Sequence, residues 1–122
     1  MALTVSGFTS NTLPFKLIMD DGSGQNSVTV FNGNVTGSAG NLYSINVINV
    51  NTVMYLKIWV EADAVQTADP DIKIQIASGA TEEIIIPGGL AFNELSFVVT
   101  QTSLIGSQTA PGGAVAVKMV TS

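Results

Sequence analysis

The carboxylates are the side chains of this sequence that could carry out catalysis, because histidine and cysteine are absent. Without these residues, the common catalytic triads and thiol sites are excluded. Seven of the nine acidic residues lie between Val53 and Thr100: Glu61, Asp63, Asp69, Asp71, Glu82, Glu83 and Glu94. A pair of carboxylates can hydrolyse a glycosidic bond, and Asp63, Asp69 and Asp71 are close in sequence. Their spacing marks no substrate cleft, so we interpret them as solvated acids and predict that the chain is not an enzyme.

Calcium is the metal that these acids would suit, because it prefers hard oxygen ligands. Two groups could supply the oxygens: Asp63, Asp69 and Asp71, and Asp20, Asp21 and Asn26. Neither group has the spacing of an EF-hand loop, and Gly22 and Gly24 stand where side-chain ligands would be needed. The glycine-rich segment 33–40 lacks the lysine of a phosphate-binding loop. We therefore predict no metal and no cofactor, with a bound calcium ion as the alternative.

The chain of 122 residues carries few charges, with 4 basic and 9 acidic residues and a net charge of −5. Its length is typical of one domain with its own core. The negative charge and the absence of arginine argue against nucleic-acid binding. No apolar run approaches the roughly 18 residues of a membrane span, and the N-terminus does not resemble a secretory signal. The uncharged surface is either rich in small polar residues or covered by partners in an assembly, and we favour the second interpretation.

Apolar and polar residues alternate with a period of two along most of the chain, which is typical of half-buried β-strands. Strands are predicted at residues 13–19, 28–32, 42–49, 53–61, 71–76, 81–86, 90–100 and 114–120. Residues 1–12 are either a further strand or an extended N-terminal arm. No segment has helical periodicity. The sequence therefore predicts one all-β domain over residues 1–122, a β-sandwich or jelly roll of eight or nine short antiparallel strands.

Two places interrupt the alternation. The Pro-Gly-Gly segment at residues 87–89 is expected to end the strand before it, because proline lacks a backbone donor and glycine favours turns. Within the predicted strand 90–100, Leu90 and Phe92 have the opposite phase to the apolar residues that follow. A slip of one residue reconciles the two phases, so we predict a β-bulge at Asn93 and Glu94.

The predicted strand 53–61 has two distinct faces. One face is aliphatic and forms the predicted core: Met54, Leu56, Ile58 and Val60. The other face holds Tyr55, Lys57, Trp59 and Glu61. Trp59 is either an aromatic covered by its own chain or an interface anchor, since Trp and Tyr are enriched at the centres of interfaces. Together with Tyr55 it could instead form a stacking platform for a carbohydrate.

The N-terminal arm is a second candidate contact region. Its apolar residues alternate loosely with Thr and Ser, and an extended arm could reach a neighbouring subunit. The sequence therefore predicts a partner interface with five candidate residues: Tyr55, Trp59, Leu3, Val5 and Phe8.

Several short stretches form a pattern of strands and turns: GNLYSI at 40–45, VMYLKIW at 53–59, ADPDIKI at 68–74, IPGGLAF at 86–92, LS at 95–96 and VT at 99–100. This pattern resembles small virion proteins of tailed bacteriophages, including cyanophages, and the likeness covers about residues 40–120. Trp59 stands where that pattern more often has Tyr, Asp or another polar residue.

The resemblance implies a head decoration (cement) protein. Such proteins are β-sandwich or jelly-roll modules, often homotrimers, that bind the outside of a capsid and clamp neighbouring capsid subunits. The expected partners are therefore the major capsid protein and further copies of the chain, and the expected location is the outer surface of the capsid in the virion. Related modules occur as head fibres or tail components. The family has no catalytic motif.

Overall fold

A computed structural model describes residues 4–7, 16–20, 31–49, 52–104 and 115–122 of the chain. These residues form eight β-strands, and none of them belongs to a helix that could cross a membrane. The strands are β1 (Thr4–Gly7), β2 (Lys16–Asp20), β3 (Gly40–Asn49), β4 (Met54–Trp59), β5 (Ile72–Ile76), β6 (Thr81–Phe92), β7 (Ser96–Thr100) and β8 (Val115–Thr121). The predicted all-β class is confirmed.

The strands form two antiparallel sheets whose buried side chains belong to one hydrophobic core. The larger sheet has five strands in the order β1-β2-β8-β3-β6, and the smaller sheet has three in the order β5-β4-β7. Both sheets contribute residues to the core: Leu42, Ile45, Val47, Met54, Leu56, Ile58, Ile76, Phe92, Leu95, Phe97, Val99, Val115, Val117 and Met119. The inward face predicted for β4 is therefore confirmed. Val60 is partly buried and packs against the same cluster.

The change of phase near Asn93 marks a change of sheet, so the prediction of one bulged strand over residues 90–100 is wrong. Strand β6 ends at Phe92 in the five-stranded sheet, and β7 begins at Ser96 in the three-stranded sheet. Between them, the Asn93 amide donates a hydrogen bond of 2.8 Å to the Val60 carbonyl. Because the chain crosses from one sheet to the other, residues of opposite phase can reach the same core.

The Pro-Gly-Gly segment does not end its strand, which corrects the prediction for residues 81–86. Leu42 pairs with Leu90, and Ser44 already pairs with Ile85. Four residues of β6 therefore lie opposite Tyr43 alone and form a large bulge, where proline needs no ladder hydrogen bond. Gly88 and Gly89 have φ angles of +78° and +80°, which L-residues with a Cβ rarely adopt, and the strand pairs again after them.

The N-terminal predictions are met only where the structure describes the chain. Residues Thr4–Gly7 form β1, which pairs with β2 and lies at the edge of the five-stranded sheet. This part of residues 1–12 is therefore a strand. Of the strand predicted at 28–32, the described residue Asn32 forms an isolated bridge with Phe97. The other residues of these two predicted segments lie outside the described ranges, apart from Phe31.

Asn49 at the end of β3 connects the two sheets. Its buried side-chain amide donates to the carbonyls of Ile76 at 3.2 Å and Ala77 at 3.0 Å, at the end of β5, and to Thr52 at 2.9 Å. Its backbone amide donates to the Ala80 carbonyl at 2.9 Å. One buried amide thus satisfies carbonyls where β3, β4 and β5 meet, and it holds the edge of the small sheet against the large one.

Candidate interaction surfaces

Each sheet has an outward face, on the side opposite the shared core. We call the outward side of the three-stranded sheet the covered face; it holds Tyr55, Lys57 and Trp59 of β4, Lys73 and Gln75 of β5, and Ser96, Val98 and Thr100 of β7. We call the outward side of β6, β3 and β8 the open face; it holds Thr81, Glu83, Ile85, Ser44, Asn46, Ile48, Ala116, Lys118 and Val120.

Trp59, the predicted interface anchor, is fully buried on the covered face. The ring of Phe31 packs edge-on against it, with 5.2 Å between ring centroids and an interplanar angle of 76°. The indole Nε1 donates a hydrogen bond of 3.3 Å to the Ala68 carbonyl. Segments before β3 and after β4 therefore cover this ring. Of the two interpretations of Trp59, the aromatic covered by its own chain agrees with the structure, and the exposed interface anchor does not.

Lys57 is also buried on this face, with 1% of its surface exposed. Its Nζ donates to the Leu104 carbonyl at 2.6 Å. Lys73 lies directly opposite in the strand register, and its Nζ donates to the Ser103 carbonyl at 3.0 Å. Burial lowers the pKa of Lys57, and the positive charge of Lys73 lowers it further. The two lysines thus hold the segment after β7 across the sheet.

The β7 residues of the covered face are buried in the same way. Ser96, Val98 and Thr100 of β7 are buried. The backbone amide of Asn34 donates to Ser96 Oγ at 3.0 Å, and the Thr100 hydroxyl donates to the Thr102 carbonyl at 2.8 Å. Tyr55 keeps partial exposure near the start of β4, and Lys73 and Gln75 of β5 are exposed. The covered face is therefore an internal layer of the protein along most of β4 and β7, and it reaches solvent at β5.

The N-terminal candidates are placed only in part. Val5 belongs to β1 and lies opposite Ile18 of β2 in the register. Leu3 and Phe8 lie outside the described residues. Val5 lies in the opposite sheet from Tyr55 and Trp59.

Two of the acidic residues accept hydrogen bonds from backbone amides in turns. Asp71 accepts a hydrogen bond of 2.8 Å from the Val60 amide through Oδ2. Glu94 accepts one of 2.8 Å from the Asp63 amide through Oε2, in a loop where Asp63 has a φ angle of +57°. Within the described ranges, no three acidic residues form a group that could hold a metal ion. Of the second candidate calcium group, Asp20 is in β2 and Asp21 and Asn26 lie outside those ranges.

The open face differs because large apolar side chains are exposed on it. Ile85 is 68% exposed and Ile48 is 43% exposed. A shallow depression of about 300 Å³ lies on this side of the sheet, lined by Ser44, Ile45, Asn46, Glu83, Lys118 and Val120. Sequence reasoning missed this surface, although the run Ile84-Ile85-Ile86 held a signal. Consecutive strand residues point to opposite faces, so one of these isoleucines had to point away from the core.

The open face is organised in three rows across the strands. The central row is Glu83, Asn46 and Lys118. The row on one side is Ile85, Ser44 and Val120, and the row on the other side is Thr81, Ile48 and Ala116. Strands lie about 4.8 Å apart, so the backbones of Glu83 and Lys118 are about 10 Å apart, with Asn46 between them. One negative and one positive group therefore flank a neutral centre.

Comparison of the chain with protein-family models, with curated proteins and with solved structures finds no match.

Proposed function

We propose that the chain is a non-enzymatic structural protein of a phage virion, a capsid decoration (cement) protein that binds the outer shell and stabilises contacts between capsid subunits. The observation that carries this proposal is the open face, where Ile85 and Ile48 are exposed on a regular sheet. Burial of apolar surface contributes about 25 cal/mol per Å². Burial of these two side chains against another protein surface would therefore stabilise an association.

The fold supports this proposal through its rigidity. Two antiparallel sheets with a common core are the arrangement of a β-sandwich, and we propose the sandwich, rather than a jelly roll, as the finer description. Buried Asn49 and the lysines that hold the segment after β7 fix the connections between elements. A preorganised surface loses little conformational entropy on binding, so more of the contact energy stabilises the complex.

Two partners enter the proposal, the major capsid protein and further copies of the chain. A decoration protein acts by mass action, because binding to the assembled shell and not to separated subunits stabilises the shell. Strand β1 lies at the edge of the five-stranded sheet, and an edge strand presents backbone groups to a neighbouring chain. We propose that the region around Val5, with Leu3 and Phe8, contacts the capsid subunit.

The test is binding of the purified chain to capsid shells assembled from the major capsid protein of the same phage. We expect saturable co-sedimentation with the shells and an increase in the temperature at which they open. Shells of an unrelated phage serve as the control. No co-sedimentation at micromolar concentrations, with the chain folded, would overturn the proposal.

The carbohydrate-binding alternative depended on a stacking platform formed by Trp59 and Tyr55. Such a platform needs the indole ring at the surface, and Trp59 is fully buried. We therefore do not carry this alternative forward. Glycan binding by the wild-type chain that disappears in Tyr55→Ala, with the fold retained, would reinstate it.

A further inference from the structure

We propose that the open face pairs with the open face of a second copy of this chain, about a twofold axis that runs parallel to β3 beside Asn46. This inference concerns the self-association included in the proposed function and assigns it a surface and a symmetry. It does not depend on whether the shell is the other partner.

The charge pattern of the central row supports this pairing. Glu83 and Lys118 lie on the two strands that flank β3, at equal distances from Asn46 in the register. Rotation by 180° about an axis along β3 exchanges the two sides of the sheet and turns the second copy to face the first. Glu83 of each copy then lies opposite Lys118 of the other copy. The row is self-complementary, as an isologous interface requires.

The other two rows fit the same operation. Ile85 and Val120 flank Ser44, so each copy places Ile85 opposite Val120 of the second copy. Ile48 lies on the axis and meets its own equivalent, which buries two exposed isoleucines together. Asn46 also meets its equivalent on the axis, and an amide side chain has both a donor and an acceptor to offer its twin. Apolar groups therefore face apolar groups, and opposite charges face each other.

Aligned packing of two sheets is a common geometry, with faces about 10 Å apart and strands rotated by about 30°. The matched rows span three of the five strands of the sheet, with about 10 Å between the two outer backbones and roughly 4.8 Å between neighbouring strands. A patch of this size is smaller than the interfaces of stable complexes, which bury about 800 Å² on each partner. We therefore expect a dimer that dissociates on dilution, with charge complementarity that selects the register of the pair.

A rotation by 120° does not reproduce this match. In a threefold contact, one patch meets a different patch of the neighbour, and the symmetric arrangement of Glu83 and Lys118 about Asn46 would have no counterpart. The charge pattern therefore favours a twofold pair over the trimer that the family resemblance implies. If a trimer forms through another surface, the open face is free to join two such trimers.

The experiment is sedimentation of the full chain over a range of concentrations, with charge-reversed variants. We expect a dimer in the wild type, and we expect Glu83→Lys and Lys118→Glu each to raise the dissociation constant about tenfold or more, because each places like charges opposite each other.

An equimolar mixture of the two variants should recover a dimer. In the mixed pair, the lysine introduced by Glu83→Lys faces the glutamate introduced by Lys118→Glu, and the unchanged Lys118 and Glu83 face each other. Glu61→Lys is the matched control, because it changes the net charge as Glu83→Lys does but lies outside the open face. It should leave the dimer intact.

The outcomes separate clearly. A dimer that is weakened by each reversal and recovered in the mixture supports the twofold pairing. A wild-type monomer at millimolar concentration, a trimer insensitive to both reversals, or a dimer that both variants retain would overturn it. Thermal unfolding of each variant checks that these exposed substitutions leave the fold intact. A monomer that still co-sediments with capsid shells would contradict the twofold pairing and leave the proposed capsid function standing. A dimer that does not bind the shells would contradict the capsid function and leave the pairing standing.

Discussion

The outward faces of the two sheets have different environments, although both consist of alternate residues of antiparallel strands. On the covered face, Lys57 and Trp59 are buried beneath segments that flank the strands. On the open face, Ile48 and Ile85 are exposed although both are large and apolar. The aromatic residue therefore stabilises the fold, and the aliphatic residues are available to a partner.

The type of a residue therefore does not by itself identify an interface. Trp is enriched at interface centres, but its large apolar surface equally favours burial within its own chain. Isoleucine is less typical of an interface hot spot. Its exposure on a regular sheet is the more informative observation, because the chain has not covered it.

The largest effect that separates the two faces is expected from alanine substitutions at Trp59 and Ile85. Trp59→Ala removes a fully buried indole, so we expect the free energy of unfolding to fall by about 3–5 kcal/mol. Ile85→Ala removes exposed atoms and should change it by less than about 0.5 kcal/mol. Denaturant unfolding of dilute protein measures both changes.

The two variants should behave in the opposite way in self-association. Ile85→Ala should weaken the dimer while its stability stays close to that of the wild type. If Trp59→Ala unfolds with the wild-type midpoint, the indole is not buried in solution and the contrast between the two faces fails.

The bulge that ends the open face provides the next test. A Cβ on Gly89 would lie 2.8 Å from Tyr43 Cε1 and 2.9 Å from Asn41 Cβ, whereas one on Gly88 would meet no atom within 4 Å. Both glycines have positive φ angles, so each alanine substitution costs about 1–2 kcal/mol from the backbone. Gly89→Ala should cost about 1–3 kcal/mol more through the steric conflict.

The difference between these two unfolding energies is the quantity to measure. Because the same backbone strain applies to both positions, Gly88→Ala is the matched control. Equal losses for the two variants would show that Tyr43 can move away from Gly89, and that the register around the bulge is less firmly fixed than the structure indicates.

The alternation of residues predicted the core well but not the connections. Met54, Leu56 and Ile58 are buried as expected, because a period of two places them on one side of a strand. The crossing at Asn93 was mistaken for a bulge, since a slip within a strand and a move to another sheet both reverse the phase. Distinguishing them requires the position of the second sheet, which is a tertiary property.

The candidate surface was harder to predict for a related reason. The pattern assigned Lys57 and Trp59 correctly to the second face of β4, but it could not reveal what lies over that face. Their cover comes from residues far along the chain, such as Leu104 above Lys57. In contrast, Lys118 lies on a face that the described residues leave open, and it is exposed.

The smallest effect concerns the pH dependence of stability, which should distinguish Lys57 on the covered face from Lys118 on the open face. Burial and Lys73 lower the pKa of Lys57 below its ordinary value of 10.5. Between the lowered pKa and 10.5, the unfolded chain binds more protons at this site than the folded chain does. The contribution of Lys57 to the free energy of unfolding therefore rises with pH in this window. Below the window both states are protonated, and the fold carries the full penalty of the buried charge.

Lys57→Met should abolish this rise, because methionine has a similar length and no charge. At pH 7 we expect the variant to be about as stable as the wild type or slightly more stable, since replacement of a buried charge by an apolar group is often neutral or favourable. Lys118→Met removes the same charge from the open face, and its curve should keep the wild-type slope when measured at concentrations where the chain is monomeric. Urea unfolding from pH 7 to pH 10.5 provides the curves. Parallel curves for the wild type and Lys57→Met would mean that the Lys57 ammonium reaches water, so that the covered face is open in solution and the two faces are alike.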